Sequence, residues 1–185
     1  MTTVIAPWEI AAATAADRHA VERLFAACAA ETLRLRFLGR VAGPPAAYLD
    51  AVLAATPEEH DAVVARPTRT APDGGPPPAV VGLASLGAGD PPELGVLVAD
   101  GWQRRGVGAA MVGAVLRRAR DRGVRTVAAR VLPGRSALLA PLARRLEPVR
   151  WEWAPDCLTG VFALRGGAAW EPADRGSGWC SARPS

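Results

Sequence analysis

The chain has 185 residues with a formal net charge of +4, which fits one domain able to bury its own core. Hydrophobic residues make up 50% and charged residues 22%, a globular balance that excludes a disordered chain. No apolar run approaches the ~18 residues a membrane span needs, and Glu9 and Asp17, with no basic stretch before them, argue against a secretory leader.

In chain order, Trp8–Thr14 predicts a short strand. Thr14 can cap the segment that follows, with Asp17 in capping-box position. Ala20, Val21, Leu24, Phe25 and Cys28 recur at helical spacing and predict a helix over Ala15–Ala29. Glu31–Arg40 is less regular. Pro44-Pro45 opens a helix over Ala46–Leu53. Asp61–Ala65 reads as a strand. Arg66–Pro78, with five prolines and two glycines, reads as a flexible loop. Strands are predicted at Ala79–Leu86 and Glu93–Ala99.

A long amphipathic helix follows over Val107–Arg122, its apolar side formed by Val107, Ala110, Met111, Ala114 and Val115. Arg117, Arg118, Arg120 and Arg122 crowd its last turns, complementing the helix dipole, and Gly123 ends it. Thr126–Leu132 is β-branched and reads as a strand. Ser136–Leu146 predicts a helix in which Pro141 forces a kink or a late start. Val149–Trp153 and Leu158–Leu164 form a hairpin. Residues 165–185 are a Gly- and Pro-rich tail, leaving 1–164 as the single domain. The order β-α-α-β-β-β-α-β-α-β-β argues for an α/β (α+β) domain with a mixed sheet rather than a doubly wound fold.

All 22 basic residues are arginine, and the chain has neither lysine nor asparagine. They are unevenly spread: residues 1–100 sum to −5, 101–150 to +10 and 151–185 to −1. A basic block in mid-domain points to an anionic partner, a phosphate-bearing small ligand more than nucleic acid, because aromatics interleaved with the arginines are scarce. Three widely spaced cysteines and two histidines suit no disulfide framework or metal centre and point to the reducing cytoplasm.

The chemistry concentrates in Gln103-Arg104-Arg105-Gly106-Val107-Gly108, between a strand and a helix start. Gly106 and Gly108 let a ligand approach the backbone. Amides at a helix N-terminus then form an anion cradle suited to a pyrophosphate. The spacing is neither a Walker A loop nor GxGxxG.

In that strand-loop-helix context the segment resembles the Q/R-x-x-G-x-G/A signature of the GNAT superfamily, the acyl-CoA-dependent N-acyltransferases. The resemblance covers Trp8–Leu164 and implies the GNAT fold, a mixed, mostly antiparallel sheet flanked by helices. It implies that Gln103, Arg104, Arg105, Gly106, Val107, Gly108 and Ala109 hold the pyrophosphate of acetyl-CoA, and that Leu97, Val98 and Ala99 lend backbone groups to its pantetheine arm and acyl carbonyl. The region Gly134-Arg135-Ser136 stands where the family often has Asn, and Ser136 is expected to cap the next helix or touch the cofactor. Glu31-Thr-Leu-Arg-Leu-Arg-Phe37 further resembles a segment of bacterial protein lysine acetyltransferases that modify acyl-CoA synthetases.

In that branch a glutamate at the position of Glu93 is the general base, often through water, and the resemblance carries the role here. The chemistry requires one: an ammonium has no lone pair, and a free lysine titrates near ~10.4. A partly apolar cleft would raise the Glu93 pKa and suit it to the task. The Val98 N–H would polarise the thioester carbonyl. The tyrosine that often protonates the leaving thiolate has no counterpart in position; the chain's one tyrosine, Tyr48, lies far upstream.

The expected activity is acetyl-CoA-dependent N-acetylation of an amine, a protein lysine before a small amine, by a monomer or homodimer. The acidic N-terminal half would attract the lysine's basic neighbours. The alternatives are a small-molecule acetyltransferase and a non-catalytic acyl-CoA-binding module.

Overall fold

The computed structural model describes residues 8–54, 56–68 and 78–164. Seven strands form one sheet in the order β1-β2-β3-β4-β5-β7-β6: β1 Trp8–Ala12, β2 Asp61–Pro67, β3 Gly82–Leu86, β4 Glu93–Val98, β5 Thr126–Val131, β6 Glu147–Trp153 and β7 Leu158–Ala163. Every neighbouring pair is antiparallel except β4 and β5. The mixed, mostly antiparallel sheet flanked by helices is the expected fold class.

One helix layer holds α4, Val107–Asp121, packed against β1 to β4. Val107, Met111, Val112, Val115 and Ala119 are at most 1% exposed, so its buried stripe is broader than the sequence pattern, while Ala110 is only half-buried. Burial on that scale is worth about 1.5–3 kcal/mol for each large side chain. Gly82 of β3 is pressed against this helix: a Cβ there would stand 2.5 Å from the Met111 methyl.

The opposite face carries α1 Arg18–Ala26, α2 Ala30–Phe37 and α3 Ala46–Leu53. Phe25, Phe37 and Tyr48 join the three, with ring centroids 5.3 to 6.5 Å apart. The expected capping box is present; the Asp17 carboxylate accepts from the Thr14 N–H at 2.9 Å. A 3₁₀ turn at Ala15–Asp17 delays the first helix to Arg18.

Three other elements depart from their sequence patterns. The segment read as irregular after Glu31 is a helix, α2. The helix expected over Ser136–Leu146 is a 3₁₀ turn, Ser136–Leu139, followed by α5, Ala140–Ala143, with Pro141 in its first turn. Proline is tolerated only there, so the late start won. Strand β2 extends through Arg66 and Pro67, which the sequence assigned to the loop; the rest of that expected loop at 69–77, and the tail at 165–185, lie outside the described residues. Among the described residues no helix is long and apolar enough to cross a membrane.

Candidate active site

The sheet splits between β4 and β5. They pair only at Glu93↔Ala128 and Leu94↔Ala129, then diverge. Beyond Leu94 one edge of β4 therefore faces a gap. On its other edge β4 bonds to β3 throughout: the Gly87 N–H donates to the Glu93 carbonyl and the Ala99 N–H to the Val81 carbonyl, each at 2.9 Å. Main-chain groups alternate direction along an antiparallel strand, so Leu97 and Ala99 spend theirs on β3. Of the three residues expected to offer backbone groups, Val98 is the one whose amide faces the split, a correction for Leu97 and Ala99. The Val98 carbonyl accepts from Gln103 Nε2 at 3.1 Å.

The chain leaves β4 through a 3₁₀ turn, Asp100–Trp102, with Trp102 buried. Gln103 to Gly106 are exposed. Arg104 (φ 61°) and Gly106 (φ 89°) both take the left-handed conformation, and such alternation turns successive amides to one side as an anion-binding nest. The Arg105 guanidinium lies 5.9 Å over the Trp102 ring. The first α4 bond joins the Ala110 N–H to the Gly106 carbonyl at 3.0 Å. The amides of Val107 and Gly108 precede that ladder and have no intrahelical acceptor. A Cβ on Gly108 would stand 3.6 Å from Val98 Cγ2 and 3.8 Å from Val96 Cγ1, so this glycine brings the helix start onto the split strand. Ala109 is buried in the first turn of α4. Thus Gln103 to Ala109 and Val98 converge at one end of the split.

Ser136 is exposed and does not cap; the capping position belongs to Arg135, and no side-chain cap bond forms. Arg135 instead reaches Glu31 of α2 at 3.2 Å, while Glu31 also accepts from Arg34 Nε at 2.7 Å.

Asp100, which sequence reading passed over, ties the other side of the split to α2. Its carboxylate accepts from the Ala29 N–H at 2.6 Å, Thr32 Oγ1 at 2.7 Å and Gln103 Nε2 at 3.2 Å. Helix α2 therefore bridges the mouth of the split, held by Asp100 after β4 and Arg135 after β5. The half-buried Cys28 thiol lies 4.0 Å from the Val98 carbonyl. Burial first, and the Asp100 charge second, push its pKa up to about 12; it is a neutral thiol at the split, not a nucleophile.

Glu93 is ion-paired with Arg130 of β5 at 2.5 Å, rather than set in the apolar cleft the sequence reading assumed. It stands five residues before Val98, about 16 Å along an extended strand. Tyr48, distant in sequence, is brought by α3 to the sheet. Its hydroxyl is 2.9 Å from Arg36 Nη2 and 3.2 Å from Ser85 Oγ, a buried hydroxyl on β3.

The basic block has a structural partner. Asp61, 3% exposed at the start of β2, binds Arg118 at 2.9 and 3.0 Å and Arg122 at 2.6 Å. Those two arginines hold α4 to the sheet instead of presenting charge to a ligand.

The family of acetyltransferases (GNAT) matches residues 45–140, just over half of the chain, and the match includes the split and the loop. The chain belongs to the GNAT family. It is an acyltransferase, and the GNAT fold implies an acyl-CoA and an amine acceptor. No curated protein matches the chain. Among solved structures, the GNAT domain of PAT from S. lividans is similar at 19% identity over 84% of this chain and 89% of that one, with a TM-score of 0.68. A ribosomal-protein-alanine N-acetyltransferase from Brucella melitensis is similar at 19% identity over 84% and 98%, with a TM-score of 0.61. A cAMP-binding acyltransferase from Mycobacterium smegmatis reaches 23% over 85% and 44%, with a TM-score of 0.52. These likenesses establish the GNAT fold alone.

Proposed function

We propose that the protein is an acetyl-CoA-dependent N-acetyltransferase whose acceptor is the ε-amine of a protein lysine, working in the cytoplasm that its cysteine usage favours. The observation that carries the reading is the split between β4 and β5 set beside the Gln103–Gly108 loop. The amides of Arg105, Gly106, Val107 and Gly108 would hold the pyrophosphate, with Gln103 and Arg104 shaping the loop and Ala109 seating the helix start. When bound, acetyl-CoA supplies an acyl group as a thioester. The Val98 N–H would donate to the acyl oxygen, where negative charge grows during attack.

The acceptor nitrogen must arrive neutral. Glu93 is the proton acceptor in this reading; its distance from Val98 requires water between them, and Arg130 orients the carboxylate. A positioned base of this kind contributes about 10²–10⁴-fold. Transfer in this reading runs directly from thioester to amine. The lysine assignment is supported by the ETLRLRF segment, which forms the bridge α2.

The test is a pair of variants. Gly108→Trp would drive an indole between Val96 and Val98 and should abolish acetyl-CoA binding by calorimetry; unchanged affinity rejects the loop assignment. Glu93→Gln should keep that affinity while slowing acetylation at neutral pH; equal rates remove Glu93 from the mechanism. Isotope-labelled acetyl-CoA in a cell lysate identifies the modified amine by mass spectrometry, and label on small amines alone would reject the protein acceptor.

A further inference from the structure

Gly95, in the middle of β4, marks a close approach that no turn explains. A Cβ there would overlap the guanidinium of Arg36 from α2, which lies against the strand. Gly95 points away from α4, because its neighbour Val96 points toward it. Arg36 thus sits on the same face of β4 as Glu93, between Glu93 and the Val98 end.

The guanidinium is rigidly built. Arg36 Nη2 donates to Tyr48 Oη at 2.9 Å and to Ser85 Oγ at 3.3 Å, and its carbon lies 4.9 Å from the Phe37 ring centre and 5.2 Å from that of Tyr48. Among the described residues no carboxylate pairs with it. The only buried side-chain nitrogen or oxygen there without a partner is Arg120 Nε, so the remaining Arg36 N–H groups reach solvent. A half-buried, oriented fork with neither counter-ion nor full satisfaction is suited to a planar carboxylate.

Several of the acids in the N-terminal half are already engaged. Asp17 pairs with Arg66, Asp50 with Arg18, Asp61 with Arg118 and Arg122, Glu31 with Arg34 and Arg135, and Glu93 with Arg130. At Gly95 the charge lying on this face of β4 is the Arg36 guanidinium.

We propose that Arg36 anchors the acceptor: the lysine that is acetylated comes with a carboxylate several bonds from its ε-nitrogen, and that carboxylate docks on the guanidinium. The inference rests on the acetyltransferase reading above. Gly95 and Val98 are three residues, or about 10 Å, apart along the strand. That span fits a lysine next to an acidic residue, or a lysine with its own free carboxylate, and is too long for an amine on the same carbon as its carboxylate.

The experiment measures kcat/KM for three peptides differing only in the residue beside the lysine (Glu, Gln or Arg), and for free lysine against lysinamide. The Glu peptide should exceed the Gln peptide by about tenfold or more, the worth of one charge-assisted hydrogen bond, with the Arg peptide lowest. A preference confined to free lysine over lysinamide supports the anchor and assigns the carboxylate to the acceptor molecule itself. In Arg36→Gln, and in Gly95→Ala, which displaces the guanidinium but keeps its charge, either ratio should fall toward one. Acetyl-CoA affinity reports that both variants are folded, and the wild-type panel decides the matter independently of them. Equal rates across both sets, or preference for Arg, overturn the anchor while leaving lysine acetylation standing. Acetyl-CoA binding with no lysine acetylated in any substrate overturns the acceptor reading and the anchor together.

Discussion

Asp100→Ala tests whether the bridge over the split is built as described. The carboxylate gathers three donors: the Ala29 N–H at the start of α2, the Thr32 hydroxyl and the Gln103 amide. Loss of a helix-capping acceptor costs about 1 kcal/mol. The two side-chain bonds add about 0.5 kcal/mol each, discounted because Asp100 is exposed and water can replace it. The total of about 2 kcal/mol should lower Tm by about 4–8 °C in a chain of this size. Gln103 can still reach Thr32, 3.4 Å away, which sets a floor under the loss. Acetyl-CoA binding should weaken by about three- to tenfold, because the loop must be ordered without α2 to brace it. Asp100→Asn keeps one acceptor oxygen and should fall between. Calorimetry and thermal melts read both effects. If Asp100→Ala melts with the wild type and binds acetyl-CoA equally well, α2 is not held by this residue and the bridge is an accident of proximity.

Cys28, with its pKa pushed up to about 12, should react with iodoacetamide at pH 8 roughly a thousandfold more slowly than a free thiol, since only the thiolate attacks; mass spectrometry of the native protein reads the rate. Because the unfolded thiol ionises earlier, the stability this shift contributes is complete below about pH 9 and is lost as pH rises toward 12; Cys28→Ala should flatten that alkaline decline. His60 is driven the other way, first by burial and then by the Arg36 charge. Its contribution is present above about pH 6.5 and lost on acidification, so His60→Gln should lessen the fall in Tm between neutral pH and pH 5. Asp61→Ala strands two guanidinium groups that can still turn toward solvent, so urea unfolding should show a loss of about 2 kcal/mol, below the 3–5 typical of a sealed pair.

Most of the fold was legible because turn residues bound its apolar runs; β2 and β3 are buried on both faces. The apolar runs of β2 to β5 and the helical spacing of α4 survive into the structure within a few residues. Helix α2 was not legible, and its reason is specific. Its sequence, AETLRLRF, is crossed by two arginines, and no side chain near Ala29 caps it. The acceptor at its start is Asp100, some seventy residues away, so nothing local marks where the helix begins. The helix after β5 failed in the opposite sense: its apolar pattern was sufficient, but Pro141 is tolerated only in a helix's first turn, so α5 starts at Ala140.

The site divides along the same line. The cradle is contiguous, from Gln103 to Ala109, and a reader of the sequence meets it whole. The proposed acceptor side draws on α2, α3, β3 and β4, and Arg36, Tyr48, Ser85 and Gly95 share no local pattern. Tyr48 looked irrelevant because it lies far upstream, yet α3 sets its hydroxyl against β3. The one visible clue was Gly95, a residue with poor strand propensity inside an otherwise apolar strand. Its missing side chain is filled by a charge, and that charge changes what the amine must carry. On the proposed reading, a lysine approaching over β4 would meet a fixed cation before it reached Val98. A cation there penalises an ammonium, unless a carboxylate travels with it to cancel the repulsion. Selectivity for the acceptor would then arise from the arginine, with Glu93 left to collect the proton.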